Sequence, residues 1–251
     1  MRFKSCFILV ITTFISILHS FAQDSINITD KNGLKQGLWE EKIGALTQRG
    51  TYTNDQKDGA WATYPPDAPP SIIETYKNGI KNGITVTFDQ RRPFLVSEKW
   101  FRNGLLDGRC KDYDRNGKVT TDAMYRKGQL HGNRKIYYEN SRPQEEANFI
   151  NNERDGITKW YNETGDIIAE YNYKKGTFEG VQKTYYPAKG IQSETTYLNN
   201  KLEGVYKEYY ENGAIKQEGN YKNGLKDGDW KDFDEQGKLL KTTKFKDDVE
   251  K

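Results

Sequence analysis

Short runs of alternating apolar and polar residues recur along the chain with a period of about 24 residues. A glycine marks the period at Gly37, Gly59, Gly83, Gly108, Gly132, Gly156, Gly180, Gly204 and Gly228, with spacings of 22, 24 and 25 and then 24 five times. With this glycine as position 0, position −4 is Gly33, Asp55, Gly79, Gly104, Gly128, Asn152, Gly176, Asn200 and Gly224. These are the residue types that tolerate positive φ, so the column predicts a tight turn, often spelled Asn-Gly. Position +5 is aromatic at Tyr64, Phe88, Tyr113, Tyr137, Tyr161, Tyr185, Tyr209 and Phe233. Position −7 is aromatic at Tyr52, Tyr76, Phe101, Tyr125, Phe149, Tyr173, Tyr197 and Tyr221, and Phe245 keeps that phase into a partial tenth repeat. A second turn falls at +9, with Gly117, Gly165, Gly213 and Gly237. Each unit therefore reads strand, turn, strand, turn. The pattern predicts an all-β fold: an elongated antiparallel β-hairpin repeat array of nine units over 33–251, with about 18 strands spanning roughly 85 Å.

The apolar columns also predict a register. A two-residue loop at +9 puts the +5 and −7 aromatics on opposite faces. A three-residue loop ending in an αL glycine, which Glu211-Asn212-Gly213 suits, sets +5 opposite the aliphatic +11 position (Val119, Ile167, Ile191, Ile215, Leu239). The −7 aromatic and the +1 aliphatic (Leu38, Ile84, Ile157, Val181, Val205) then join the same face. This register is preferred because it gathers the apolar columns, and a slip of one residue would invert every side chain. The position 0 glycine has two explanations: rings from neighbouring strands lie across its backbone, or it closes the preceding turn. Pro65-Pro66-Asp67-Ala68-Pro69-Pro70 replaces a hairpin turn and marks an atypical early unit. The charged 246–251 segment blunts the last edge strand.

Charge repeats as well. Position +3 is Lys111, Lys135, Lys159, Lys183, Lys207 and Lys231; position +14 is Asp122, Glu146, Glu170, Glu194 and Glu218. In the preferred register the two columns lie on opposite faces, and in the two-residue register they pair across strands. The lysines alone read as an anion-binding stripe for phospholipid headgroups or acidic glycans. Read with the acids, they are a solvated sheet surface whose lysine stems cover rings.

Composition narrows the chemistry. The 251 residues include 23 Gly, 17 Tyr, 11 Phe and 5 Trp, but 2 His and 2 Cys. Hydrophobic residues make up 34%, too few for a broad aliphatic core, while the aromatics argue against disorder. Residues 1–22 read as a secretory signal peptide: Arg2 and Lys4, the apolar run 6–18, then Ser20-Phe21-Ala22 before a cleavage site. A short linker, 23–32, leads into the array. Removal of Arg2 and Lys4 lowers the formal charge from +3 to +1, which argues against a nucleic-acid partner. Cys110 and His131 then remain as the chain's cysteine and histidine. Cys110 has no partner for an intrachain disulfide and reads as a half-buried thiol. Together the two residues supply neither a nucleophile–base pair nor a metal set, so the expectation is no catalytic residues, no metal and no cofactor.

Tyr221–Trp230 (Tyr-Lys-Asn-Gly-Leu-Lys-Asp-Gly-Asp-Trp) and Tyr209–Gly213 resemble the two halves of the MORN-repeat variant family motif, and 101–108, 125–132 and 173–180 repeat the signal. His131-Gly132 keeps a pair common in MORN repeats, although a regular Tyr-x-Gly-x-Trp opening is absent. The resemblance covers nearly all of the chain after the signal and implies a MORN-like solenoid. Bacterial proteins similar to this are often labelled YwqK-type antitoxins, and MORN arrays are described as scaffolds and lipid-associating modules. The leading expectation is an exported, non-enzymatic module of the cell envelope, periplasm or exterior that binds or scaffolds a protein partner. Trp39, Trp61, Trp160, Tyr206 and Trp230 are its candidate partner contacts, with packing on neighbouring strands as their alternative role. An antitoxin or immunity-like protein, or a phospholipid- or glycan-associating module, is the alternative function.

Overall fold

The computed structural model describes residues 25–92 and 94–251, so the expected signal peptide lies outside the described residues. The described chain is β-strand, turn and loop, with no helix and hence no apolar helix long enough to cross a membrane. It divides into two compact units, one ending at Asn82 and the other running Gly83–Lys251. Within each, consecutive strands pair antiparallel with their chain neighbours. The repeats each supply two strands, as the glycine and aromatic columns predict. In three of them the first strand is briefly interrupted just before position 0, as between Thr177–Phe178 and Gly180–Tyr185. Ile28–Thr29, in the segment read as a linker, pairs with Gln36 and Lys35.

From Asp55 onward the −4 column forms two-residue turns in which both central residues have positive φ, as at Asn223 (54°) and Gly224 (90°). That is the type I′ geometry matching the twist of the flanking strands. Each turn also ties one repeat to the one before it. The backbone N–H of Asn152 donates to Leu130 O (3.0 Å), that of Gly176 to Arg154 O (2.8 Å), and that of Gly224 to Leu202 O (2.8 Å). The opposite turn is the expected three-residue loop: Gly213 N–H donates to Tyr210 O and Tyr210 N–H to Ala214 O. Where position +6 is tyrosine, its hydroxyl reaches the next repeat. Tyr138 donates to Tyr161 O (2.7 Å), Tyr186 to Tyr209 O (2.9 Å) and Tyr210 to Phe233 O (2.8 Å).

The loop register is the preferred one, but it does not persist along the strand. Tyr161 faces Ile167 and Tyr209 faces Ile215, position +5 against +11, as expected. The next pairs are Trp160 with Ala169 and Glu208 with Gln217, so position +12 is skipped as a one-residue bulge. The same skip occurs at Thr120, Gln144, Gln192 and Leu240. Beyond it the register is that of the two-residue alternative. The expectation that the −7 aromatics share a face with the +5 rings and +1 aliphatics is therefore corrected: the bulge sends them to the opposite face. The expected separation of the lysine and acid columns is corrected for the same reason, since Lys159 now lies opposite Glu170 and Lys183 opposite Glu194.

The first repeat explains its shorter spacing. Gly37–Tyr52 through Ile43–Leu46 pair without a skip around a two-residue turn, so one loop residue and the bulge residue are missing from the 24-residue pattern.

Neither explanation offered for the position 0 glycine is complete. All nine have positive φ, from 69° at Gly37 to 122° at Gly108. They sit just past the type I′ turn, where the pairing between repeats shifts, as between Ala123 and Tyr125 opposite the Gly132 strand. A side chain there would be strained whatever the space. Rings do lie across glycine, but at two other positions. A Cβ added to Gly50 would fall inside the Trp61 ring, and one added to Gly219 inside the Trp230 ring.

Gly219→Ala should therefore destabilise the second unit by about 1–3 kcal/mol through overpacking against Trp230. The check is the urea midpoint followed by tryptophan fluorescence; an unchanged midpoint would show that the ring does not need the space.

Candidate functional site

Strand alternation after the bulge sorts the second unit into two faces of different chemistry. One carries position +3 and +14 residues in a single row across the strands. Glu98 and Asp122 flank Lys111, Asp122 and Glu146 flank Lys135, and the alternation continues through Lys159, Glu170, Lys183, Glu194, Lys207 and Glu218 to Lys231. Lys135 meets Glu146 at 2.6 Å, Lys159 meets Glu170 at 3.0 Å, and Lys183 meets Glu194 at 3.0 Å. The hydrogen bonds they donate to Glu146 and Glu170 hold the Lys135 and Lys159 ammonium groups above their ordinary range. The +5 tyrosines brace the same row: Tyr185 donates to Glu170 and Tyr209 to Glu194, each at 2.9 Å. Burial first, and these bonds second, push both phenols up to about 12. Half-exposed ion pairs contribute at most about 1 kcal/mol each, so the ladder fixes register more than it adds stability. Each ladder lysine is flanked by an acid, so the row alternates in charge rather than presenting a run of unpaired cations.

The other face carries rings and the cations that cover them. In the first unit, Tyr52 packs edge-on against Trp39 and Trp61, with centroids at 5.7 and 4.9 Å. Lys35 lies over Trp39 and Tyr52, and Lys57 lies 3.9 Å from the Trp61 centroid. In the second unit, Trp230 stacks on Tyr206 at 5.4 Å and meets Tyr221 edge-on at 5.0 Å, with Lys226 above its ring at 4.2 Å. Position −2 is thus where lysine stems lie over rings; the +3 lysines are on the ladder. Each such ring or cation contact contributes about 0.5–1.5 kcal/mol.

One stretch departs from this scheme by burying charge. Glu145, 7% exposed, accepts from Arg134 at 2.6 Å and from Arg154 at 2.8 Å. Both guanidinium groups also cover Phe149, at 4.7 and 5.4 Å, and Arg154 faces Trp160 and Tyr173. Arg154 donates further to the hydroxyl of buried Thr158 at 3.2 Å. Burial alone would raise the Glu145 carboxyl, but the bonds from Arg154 and Arg134 outweigh it and hold the group below the usual carboxylate range. The Arg134 Nε is buried without a hydrogen-bond partner.

The five candidate contacts all lie on the ring face but differ in access. Trp61 and Trp230 are 2% exposed and present no ring to a partner. Their indole N–H groups are taken by Thr51 O (3.0 Å) and Asn220 O (3.2 Å). Trp39, Trp160 and Tyr206 are half-buried. Tyr206 and Trp230 come together; Trp160 instead packs on Tyr171 at 4.9 Å. Sequence reasoning missed the Arg134–Glu145–Arg154 cluster. Its signal was present as charges at positions +2 and +13, which elsewhere hold residues such as Trp230 and Ala169; the cation at −2 recurs, as at Lys57 and Lys226. Cys110 is a free, buried thiol rather than a half-buried one, and burial pushes its titration up. Among the described residues, no group of three or more His, Cys, Asp and Glu side chains could hold a metal ion.

Comparison with known families gives one match. The family described as MORN repeat variant matches six consecutive segments, 106–127, 130–151, 154–175, 178–199, 202–223 and 226–247. No curated protein matches the chain.

Glu145→Ala should cost about 1–3 kcal/mol, because two half-buried guanidinium groups lose the buried carboxylate they bind; urea denaturation of variant and wild type measures it. The folded Glu145 carboxyl titrates lower than the unfolded one, so its contribution is complete above the unfolded value of about 4.3 and is lost as pH falls through the folded value. The stability gap between wild type and Glu145→Gln should accordingly narrow in acid. A gap independent of pH from 7 to 3 would mean that the carboxylate charge is not what the arginines bind.

Proposed function

The chain belongs to the MORN repeat variant family, and on that footing we propose that it is an exported, non-enzymatic repeat protein that binds or scaffolds a protein partner in the cell envelope. Repeats of this family generally mediate contacts with proteins or membrane lipids, and in general they are binding modules rather than enzymes. The export component rests on the residues of Met1–Ala22.

The observation that carries the reading is a row of exposed aliphatic side chains on the ladder face. Ile157, Val181 and Val205 occupy position +1 in three successive repeats, all largely exposed, beside the alternating lysine–acid row. Apolar patches bordered by mixed charge suit a protein surface of matching pattern. A phospholipid surface would call for an excess of unpaired cations, which the ladder does not provide. Half-buried Trp160 and Tyr206 add rings on the opposite face.

The test is recovery of partners from envelope extract by the mature chain and by Val181→Glu/Val205→Glu. Both positions are exposed, so the variant keeps the wild-type melting temperature. A partner retained by the wild type and lost by the variant supports the reading. Identical recovery by both removes the aliphatic row from it, and no partner with either removes protein binding itself.

A further inference from the structure

Two positions near the start of the second unit break the repeat pattern together. Position −1 is an acid at Asp107, Asp155, Glu179 and Glu203, where it caps the turn of the following repeat. Glu179 accepts the N–H of Asn199 at 3.0 Å, and Glu203 that of Asn223 at 2.6 Å. In the intervening repeat this residue is His131, whose buried Nδ1 has no hydrogen-bond partner. Position +16 is Asn148, Asn172 and Asn220 in later repeats but Met124 here, 38% exposed. Beside them position −6, a cation also at Lys77, Lys174 and Lys222, supplies Arg102 and Arg126 in adjacent repeats, followed by Lys127 in the turn.

These departures share one place. Arg102, Leu105, Met124, Arg126, Lys127 and His131 line a groove of about 590 Å³. Leu105 is 51% exposed and forms an apolar surface with Met124. Asp107, the acid in the lining, is already engaged: it faces Arg102 at 3.6 Å and accepts the Lys127 N–H at 3.3 Å. Arg126 and Lys127 make no ion pair among the described residues. The groove therefore combines an apolar floor with surplus positive charge, whereas the ladder beside it is balanced.

We propose that this groove binds an extended acidic peptide segment of the partner protein, with an aliphatic side chain on the Leu105–Met124 floor and carboxylates on Arg102 and Arg126–Lys127. The spacing supports an extended chain. Equivalent positions in adjacent repeats are two strands, about 9.6 Å, apart. Acids three residues apart in a polyproline II segment lie about 9.3 Å apart on one side. The His131 substitution removes the carboxylate that would repel such a ligand. This inference rests on the protein-binding reading and names its partner chemistry.

The probe is fluorescein-labelled Glu-Pro-Leu-Glu-Pro-Leu-Glu, titrated by anisotropy against the mature chain. Arg126→Glu/Lys127→Glu should weaken binding by about tenfold or more, as expected when charge complementarity is reversed. Met124→Asn, which restores the residue used in later repeats, should weaken it by roughly threefold through loss of apolar contact. Lys174→Glu, at position −6 outside the groove, should leave it unchanged. Equal binding of a peptide with lysine in place of glutamate, or equal weakening by Lys174→Glu, overturns the proposal. So does binding of anionic phosphatidylserine vesicles with no peptide binding up to about 1 mM. If the peptide fails while the wild type still recovers a partner from envelope extract, this inference falls and the protein-binding reading stands.

Discussion

The structure depends on one unpaired residue in each hairpin of the second unit. Skipping position +12 moves the strand by one place against its partner, and since side chains alternate with period two, that step decides the face of everything beyond it. With the skip, lysine meets acid in each hairpin from Lys111 to Lys207, and the −7 rings gather opposite the ladder. Without it, the two charge columns would fall on different faces and the +5 tyrosines would lose the carboxylates that accept from them. The first repeat supports the assignment by exception: it lacks both the bulge and one loop residue, and its spacing shortens by two.

Stability in such a chain is local. The turn N–H groups, the +6 tyrosine hydroxyls and the +5 tyrosine bonds to the ladder acids each join a repeat to its neighbour, so interactions accumulate along the array rather than converging on one core. The rings are shielded largely by one another and by the stems of Lys35, Lys57 and Lys226, which explains how a chain with 34% hydrophobic residues buries Trp61 and Trp230 almost completely. The Arg134–Glu145–Arg154 cluster is costlier, because an anion and two cations are drawn partly out of water together; the bonds from both arginines to Glu145 offset that cost.

A repeat also makes function easier to locate. Positions that serve the scaffold recur, so a position that changes without a compensating partner stands out. His131 and Met124 do so together, around a groove with net positive charge. Glu145 changes as well, but Arg134 changes with it and both meet the recurrent −2 cation, here Arg154; the result is internal structure.

The nine units, both turn columns, the three-residue loop and the +5 to +11 pairing were all legible in the sequence. Each follows from local requirements: positive φ selects Gly, Asn or Asp, and strand alternation selects aromatic and aliphatic positions at fixed offsets. The faces were not legible. A one-residue bulge leaves no mark in composition, and its site is set by which pairing satisfies the charge and ring columns on both neighbouring strands at once. For the same reason Trp61 and Trp230 could be ranked as large aromatics but not placed. Their burial depends on Gly50 and Gly219, glycines outside the periodic column, arriving beneath the rings from the adjacent strand. Turn chemistry is local and can be read along the chain; contact across strands exists only once the register is set, and only the tertiary structure sets it.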